Sequence, residues 1–321
     1  MRCLCCGKEI KENASEEEKR NGWHRRCLKS FFGTNKLPVL DLDEQELIHL
    51  AEKLVQNGMT VAGVQKKMSL HLSKDPEYRL TIVDYPSGYI LKPQTKEYPN
   101  LPEYEDLVMR MASPAGIRTV PHALMKTGDG FAYITARVDR KPVKGEMQMY
   151  AMEDFCQLSW RMTEDKYKGS YERCAGLIKK YAEHIGLDLA EFYLRVLFSF
   201  ATGNSDMHLK NFSLREMTPG GRDFILSEAY DLLPVNIVLP ADQDETALTV
   251  NGKKRNLRRK DFLILAEHCD LTRKTAEKMI ARLVSREGAF RDEIRNSFLP
   301  EEKKEEMENF VAGRLQRLVK S

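Results

Sequence analysis

No stretch of the sequence approaches the roughly 20 consecutive apolar residues that a membrane-spanning helix needs. The opening Met1-Arg2-Cys3-Leu4-Cys5-Cys6 lacks the apolar core of a secretory signal, so the expectation is a cytoplasmic protein with no membrane partner. A surplus of one charge is missing as well. Lys and Arg number 51 against 48 Asp and Glu, and a net +3 is too near balance to imply nucleic-acid binding by the whole chain. Internal repeats and low-complexity tracts are absent, which sets aside solenoids and solvated tails. Neither the G-x-G-x-x-G nor the Walker phosphate signature occurs in the glycine-bearing turn discussed below. The cysteines number seven, and an odd count argues against a disulfide framework; Cys156, Cys174 and Cys269 read as small buried apolar residues.

What is present suffices for two lobes, or for one large domain with an appendage, over 321 residues. Residues 1–36 form a Cys- and His-rich head. Residues 41–56 space Leu47, Leu50, Ala51 and Leu54 on one helical face. Alternation over 61–72 (Val64, Met68, Leu70, Leu72) suggests a glycine-containing turn entering a strand. Leu80-Thr81-Ile82-Val83 and Tyr89-Ile90-Leu91 flank Tyr85-Pro86-Ser87-Gly88, which predicts a hairpin. A helix is expected over 101–112, and strands over 119–125 and 131–138 joined at Thr127-Gly128-Asp129-Gly130. From Met152 the pattern is mostly helical, most clearly over 189–201 (Phe192, Leu194, Val196, Leu197, Phe200) and 300–319 (Met307, Phe310, Val311, Leu315, Leu318). The division is therefore 1–36, a β-rich part over 37–150 and a helical part over 151–321.

The chemistry concentrates in Gly203-Asn204-Ser205-Asp206-Met207-His208-Leu209-Lys210-Asn211. An Asp followed five residues later by an Asn is the spacing of a phosphotransfer loop, in which the Asp serves as base and the Asn binds metal. Asp231, after a short apolar strand and turn, stands where a second Mg²⁺ ligand belongs. Short oxygen-bearing side chains suit Mg²⁺, which prefers hard ligands. The alternative is that Asp206 and Asn211 only cap a turn; His208 and Lys210, in the same loop, are read as capping none and are counted with the catalytic residues. Lys92 ends a strand, as a lysine paired with nucleotide phosphates would, with Glu105 preferred over Glu103 as its partner. The turn Ala62-Gly63-Val64-Gln65-Lys66-Lys67, about 25 residues before Lys92, is placed to cover phosphates, although with a single Gly it is a weak signal alone.

In the head, Cys3-x2-Cys6 and His24-x2-Cys27 are two ligand pairs compatible with a tetrahedral structural Zn²⁺ site, against the alternative of reduced cysteines in a mobile segment. Lys253-Lys254-Arg255 with Arg258-Arg259-Lys260 could contact nucleic acid; a solvated turn is the preferred reading.

Gly63-Val64-Gln65-x-Lys67, Tyr89-Ile90-Leu91-Lys92-Pro93, the run from Thr202 to Ser213 and Ala229-Tyr230-Asp231-Leu232 together resemble the HipA-type serine/threonine kinase toxins of bacterial type II toxin–antitoxin systems. The Cys-rich start with Phe31-Phe32-Gly33 is similar to a short head on some members. The resemblance implies an α+β, bilobal, protein-kinase-like fold with a β-rich N-lobe and a helical C-lobe, and ATP and Mg²⁺ as cofactors. It implies phosphate transfer to a protein such as an aminoacyl-tRNA synthetase, and restraint by a DNA-binding antitoxin. Asp206 is then the base, Asn211 and Asp231 the metal ligands, and His208 a phosphate contact. Lys92, the turn at 62–67, the connector Ala136-Arg137-Val138 and Tyr230 go to the nucleotide, and Thr60 becomes an autophosphorylation position. The chain resembles the shorter, split form, which implies a separate small N-terminal-subdomain partner. The competing expectation is an inactive nucleotide-binding module that uses the zinc head and the basic cluster for protein or nucleic-acid binding.

Overall fold

Six short segments in the first half of the chain pair into one sheet. The computed structural model describes residues 1–40, 67–73, 78–81, 88–128, 130–143 and 146–320. Contacts divide the chain into two units: Met1–Asp106 with Val120–Gln148, and Leu107–Thr119 with Met149–Ser321.

The first unit contains β1 (Val39–Leu40), β2 (Met68–Ser73), β3 (Arg79–Thr81), β4 (Tyr89–Pro93), β5 (His122–Thr127) and β6 (Gly130–Ala136), in the order β1-β3-β2-β4-β6-β5. The β1–β3 pair is parallel and the remaining neighbours are antiparallel. The expected hairpin across Tyr85–Gly88 is corrected here. The strands flanking it, β3 and β4, do not pair; β2 lies between them, with Leu72 opposite Leu80 and Leu70 opposite Tyr89. Turn residues mark where a chain reverses, whereas the neighbour is chosen by which strand buries its apolar face, and β2 buries Met68 and Leu70. The β5–β6 hairpin forms as expected, with Thr127 opposite Gly130. The helix expected over 41–56, Thr60 and the turn residues Ala62, Gly63, Val64, Gln65 and Lys66 lie outside the described residues; Lys67 is described and exposed.

The head packs within this first unit. Ser15 caps the helix Glu16–Asn21 through a reciprocal box with Glu18, and Gly22 closes it in the left-handed region at φ 72°. A second helix, Arg25–Phe32, buries Cys27, Leu28, Phe31 and Phe32. The helix Leu101–Ala115 runs one turn beyond its expected end.

The second unit is mainly helical. The helix Ile185–Thr202 buries Leu189, Phe192, Val196, Leu197 and Phe200, too broad an apolar arc for a surface helix, so it forms the core of the unit. Around it lie Tyr171–Tyr181, Arg259–His268, Arg273–Val284 and Glu301–Val319, the last burying Met307, Val311, Leu315 and Leu318. A two-stranded ladder of β7 (Arg140–Val143) with β8 (Glu146–Met149) comes in the chain before a small antiparallel sheet that interrupts the helices: β9 (Met152–Asp154), β10 (Ser213–Glu216) and β11 (Phe224–Leu226), with β10 central. Trp160, after the short helix Phe155–Leu158, stands out of the surface at φ 56° and 93% exposure.

Candidate functional site

In the first unit, β4 delivers Lys92 to the helix Leu101–Ala115. The Lys92 ammonium meets Glu105 Oε1 at 2.5 Å, with side chains 3% and 0% exposed, and lies 5.4 Å from the centroid of the Tyr133 ring. Glu103 is engaged elsewhere: Asn100 donates to it at 3.2 Å, and burial raises its pKa. Removing two charges from water costs several kcal/mol per ion before their mutual attraction is counted, so a well-packed apolar pair would often serve stability as well. Such a pair points to a use for the ammonium.

In the second unit, the helix Ile185–Thr202 ends at Gly203 in the left-handed region, φ 77°. A Cβ there would lie 2.6 Å from the Phe310 ring, so glycine is required both by conformation and by space. The chain then turns tightly. Asn204 Oδ1 accepts the Asp206 amide at 3.2 Å, and Ser205 Oγ donates to Asp242 at 2.6 Å. Asp206 Oδ1 accepts a hydrogen bond from the Tyr167 hydroxyl. Partial burial, then the adjacent Asp206 carboxylate, push the Tyr167 phenol well above its ordinary range, so the tyrosine remains the donor.

His208 stands edge-on to Tyr167, ring centroids 5.0 Å apart, with Nε2 3.9 Å from Asp206 Oδ1. Its Nδ1 accepts the Lys210 amide at 3.3 Å, so His208 does cap the turn Leu209–Asn211, contrary to expectation. The sequence could not reveal this because an imidazole caps only when its rotamer returns to its own backbone. That hydrogen bond assigns the neutral ring's proton to Nε2. Asn211 donates its amide to the Asp206 carbonyl at 2.8 Å, so the amide oxygen is the atom of this side chain that can bind a cation. Asp231 sits at φ 60°, a conformation Asp tolerates better than most residues. Tyr230 before it reaches back to Ser213 Oγ at 2.5 Å and donates to the Lys210 carbonyl at 3.1 Å, tying the Asp231 segment to the loop. The oxygens of Asn211 and Asp231 are the hard, compact donors that Mg²⁺ takes.

Other expected residues have local partners. Lys210 directs its ammonium to Asp154 at 2.7 Å. Ala136 ends β6, and the Arg137 guanidinium forks onto Asp139 at 2.9 Å, followed by Val138 in a turn. Four of the six basic side chains of the cluster have carboxylate partners nearby: Lys253 on Asp261 at 2.7 Å, Lys254 and Arg255 on Asp244 at 3.8 and 2.7 Å, and Arg259 within 3.9 Å of Glu277. Cys156, Cys174 and Cys269 are buried, and burial pushes the Cys269 thiol up to about 12. In the head, one ligand atom each from Cys3, Cys6, His24 and Cys27 lie within 4.8 Å of one another, and Cys5 is not in the group. Hydrogen bonds from Cys27 and Cys3 hold the Cys6 thiol far below its usual pKa, while the contacts with Cys27 and Cys6 push Cys3 up. Sequence reasoning missed Tyr167 and Asp154. Asp154 carries a readable signal, the reciprocal cap with Gln157; Tyr167 carries none.

A family model described as the HipA-like C-terminal domain matches residues 59–289. The chain belongs to that family. It is 29% identical over 208 residues to a "Putative kinase" of Haemophilus influenzae, covering 62% of this chain and 59% of that protein. A "Putative kinase" of Sinorhizobium fredii is 31% identical over 262 residues, 75% and 61% of the two chains. The "Serine/threonine-protein kinase toxin HipA" of Shewanella oneidensis is 27% identical over 198 residues, 56% and 44%. The chain thus spans about half the length of the curated relatives it matches. Among solved structures, Shewanella oneidensis HipA in its complex with HipB and operator DNA superposes with a TM-score of 0.68 at 22% identity, over 84% of this chain and 71% of that one. The Helicobacter pylori proinflammatory kinase CtkA gives 0.54 at 17% identity, over 78% and 94%. The fold of this HipA-like chain is mixed α/β and kinase-like.

Proposed function

We propose that the chain is an ATP- and Mg²⁺-dependent protein kinase that phosphorylates serine or threonine hydroxyls, as the toxin of a toxin–antitoxin pair. The observation that carries the reading is the buried Lys92–Glu105 ion pair, a costly arrangement whose use is to present a fixed ammonium to phosphate oxygens. The same chain holds Asp206, His208 and Asn211 in one cross-braced turn. The inactive-module reading loses ground because Lys92, Asp206, Asn211 and Asp231 are all present.

In this reading Asp206 accepts the proton of the acceptor hydroxyl as its oxygen bonds to the γ-phosphorus and the bond to the β–γ bridging oxygen breaks, releasing ADP. The Tyr167 hydroxyl fixes the plane of the Asp206 carboxylate. His208, its proton on Nε2, donates to a phosphate oxygen. Asn211 and Asp231 would hold Mg²⁺, which would supply neutralisation of phosphate charge. The segment 62–67, Tyr230 and the connector at 136–138 complete the nucleotide contacts. Thr60 is the self-acceptor, a translation protein such as an aminoacyl-tRNA synthetase is the substrate, and a DNA-binding antitoxin is the restraint. A separate small N-terminal-subdomain protein would complete the assembly.

The test is phosphate transfer from γ-labelled ATP in cell extract, wild type against Asp206→Asn. Loss of the base lowers labelling by about 10²–10⁴-fold. Equal labelling by both proteins defeats the assignment.

A further inference from the structure

The head carries a chemistry that phosphoryl transfer does not use. The loop holding Cys3 and Cys6 and the start of the helix Arg25–Phe32, capped by His24 and containing Cys27, bring three sulfurs and one imidazole nitrogen within 4.8 Å of one another. Around a tetrahedral zinc, with Zn–S of about 2.3 Å and Zn–N of about 2.0 Å, ligand atoms stand roughly 3.5–3.8 Å apart. Here Cys6 Sγ and Cys27 Sγ lie 3.3 and 4.0 Å from His24 Nδ1. The imidazole is already oriented for a metal. Its Nε2 lies 3.1 Å from the Glu9 carbonyl, which can only accept, so the ring proton sits on Nε2 and the Nδ1 lone pair faces the sulfurs. The His24 amide donates to Cys3 Sγ at 3.3 Å. Four protein donors with no open position, three of them soft, make a closed site that suits zinc.

The segments that carry these side chains are also the parts of the head that grip the sheet. Leu4, between Cys3 and Cys6, accepts the Leu124 amide of β5 at 2.9 Å through its carbonyl. Trp23, adjacent to His24, packs against Phe31 and Phe32 with centroids 5.7 and 5.6 Å away. Both phenylalanines contact the Tyr89 ring, at 5.6 and 5.3 Å, and the Tyr89 hydroxyl donates to the Phe31 carbonyl at 3.0 Å. Tyr89 opens β4, the strand that carries Lys92.

We propose that Cys3, Cys6, His24 and Cys27 bind one zinc ion, and that this ion fastens the head to β4 and β5, so that order in the lysine-bearing strand depends on the metal. The experiment uses the full chain, purified under reducing conditions. Metal analysis is expected to give one zinc per chain in wild type and in Cys5→Ser, and none in Cys6→Ser. Exchange of wild type with Co²⁺ is expected to give thiolate-to-cobalt charge transfer and the intense visible bands of a tetrahedral centre, a result that does not depend on the Cys6 variant folding. Removal of the metal with a chelator is expected to speed hydrogen exchange at the Leu124 amide and along β4 by about tenfold or more, with β10 unchanged. Substoichiometric zinc together with a cobalt spectrum lacking those bands overturns the site. Unchanged exchange at Leu124 and β4 in metal-free protein overturns the fastening.

Discussion

At Gly203 a single missing carbon sets the approach to the Asp206 loop. The residue needs φ 77°, and a Cβ would meet the Phe310 ring at 2.6 and 2.8 Å. Gly203→Ala is therefore expected to cost about 1–3 kcal/mol in urea denaturation. Adding Phe310→Ala, compared with Phe310→Ala alone, should reduce that cost without abolishing it, because the left-handed conformation still disfavours a side chain by about 1 kcal/mol. An identical cost in both backgrounds would show that the ring contact contributes nothing. The candidate residues themselves were legible at this scale. Spacing isolated Asp206, Asn211 and Asp231, and ligand pairing isolated Cys3, Cys6, His24 and Cys27. What spacing could not show is who holds them: Tyr167 reaches Asp206 across 39 residues and Asp154 reaches Lys210 across 56, and such contacts follow from tertiary packing.

Among elements, local patterns named most helices and strands but not the order of strands. The β5–β6 hairpin followed from its turn, because its partners are adjacent in sequence. The placement of β2 between β3 and β4 did not, because it depends on which apolar face is covered. The basic segment before the helix Arg259–His268 shows the reverse case, a charge run whose role is local. Asp261 is fully buried and accepts from Lys253 at 2.7 Å, Asn251 at 2.8 Å and the Arg258 amide at 2.9 Å. Burial alone would raise its pKa, yet these donors hold it below the ordinary value. A carboxylate depressed on folding contributes stability above its unfolded pKa of about 3.9, and the contribution fades as pH falls through the folded value. Asp261→Asn is thus expected to lower stability by about 1–3 kcal/mol at neutral pH, with the gap to wild type closing below about pH 4. Thermal melts across that range check it, and a gap that does not depend on pH would assign the loss to something other than the charge.

The whole molecule is built from two units that share the chain in an interleaved way, and no composition shift announces this. Residues Leu107–Thr119 are counted with Met149–Ser321. They supply buried Leu107, Val108, Met111 and Ile117, the Arg118 carbonyl that accepts the Ala229 amide at 2.8 Å, and Arg110 over the Phe298 ring at 6.0 Å. A fragment starting at residue 149 is therefore expected to lack a cooperative thermal transition, while the full chain retains one. A fragment that melts sharply by near-ultraviolet circular dichroism would show those thirteen positions to be dispensable. The two tryptophans lie one in each unit, and their surroundings could hardly differ more. Trp23 is 0% exposed in a nest of aromatic rings and Trp160 is 93% exposed. A collisional quencher such as acrylamide therefore extinguishes Trp160 and spares Trp23. The emission that survives comes from the head alone, so the protein carries an unlabelled optical probe of whether its head is closed or open.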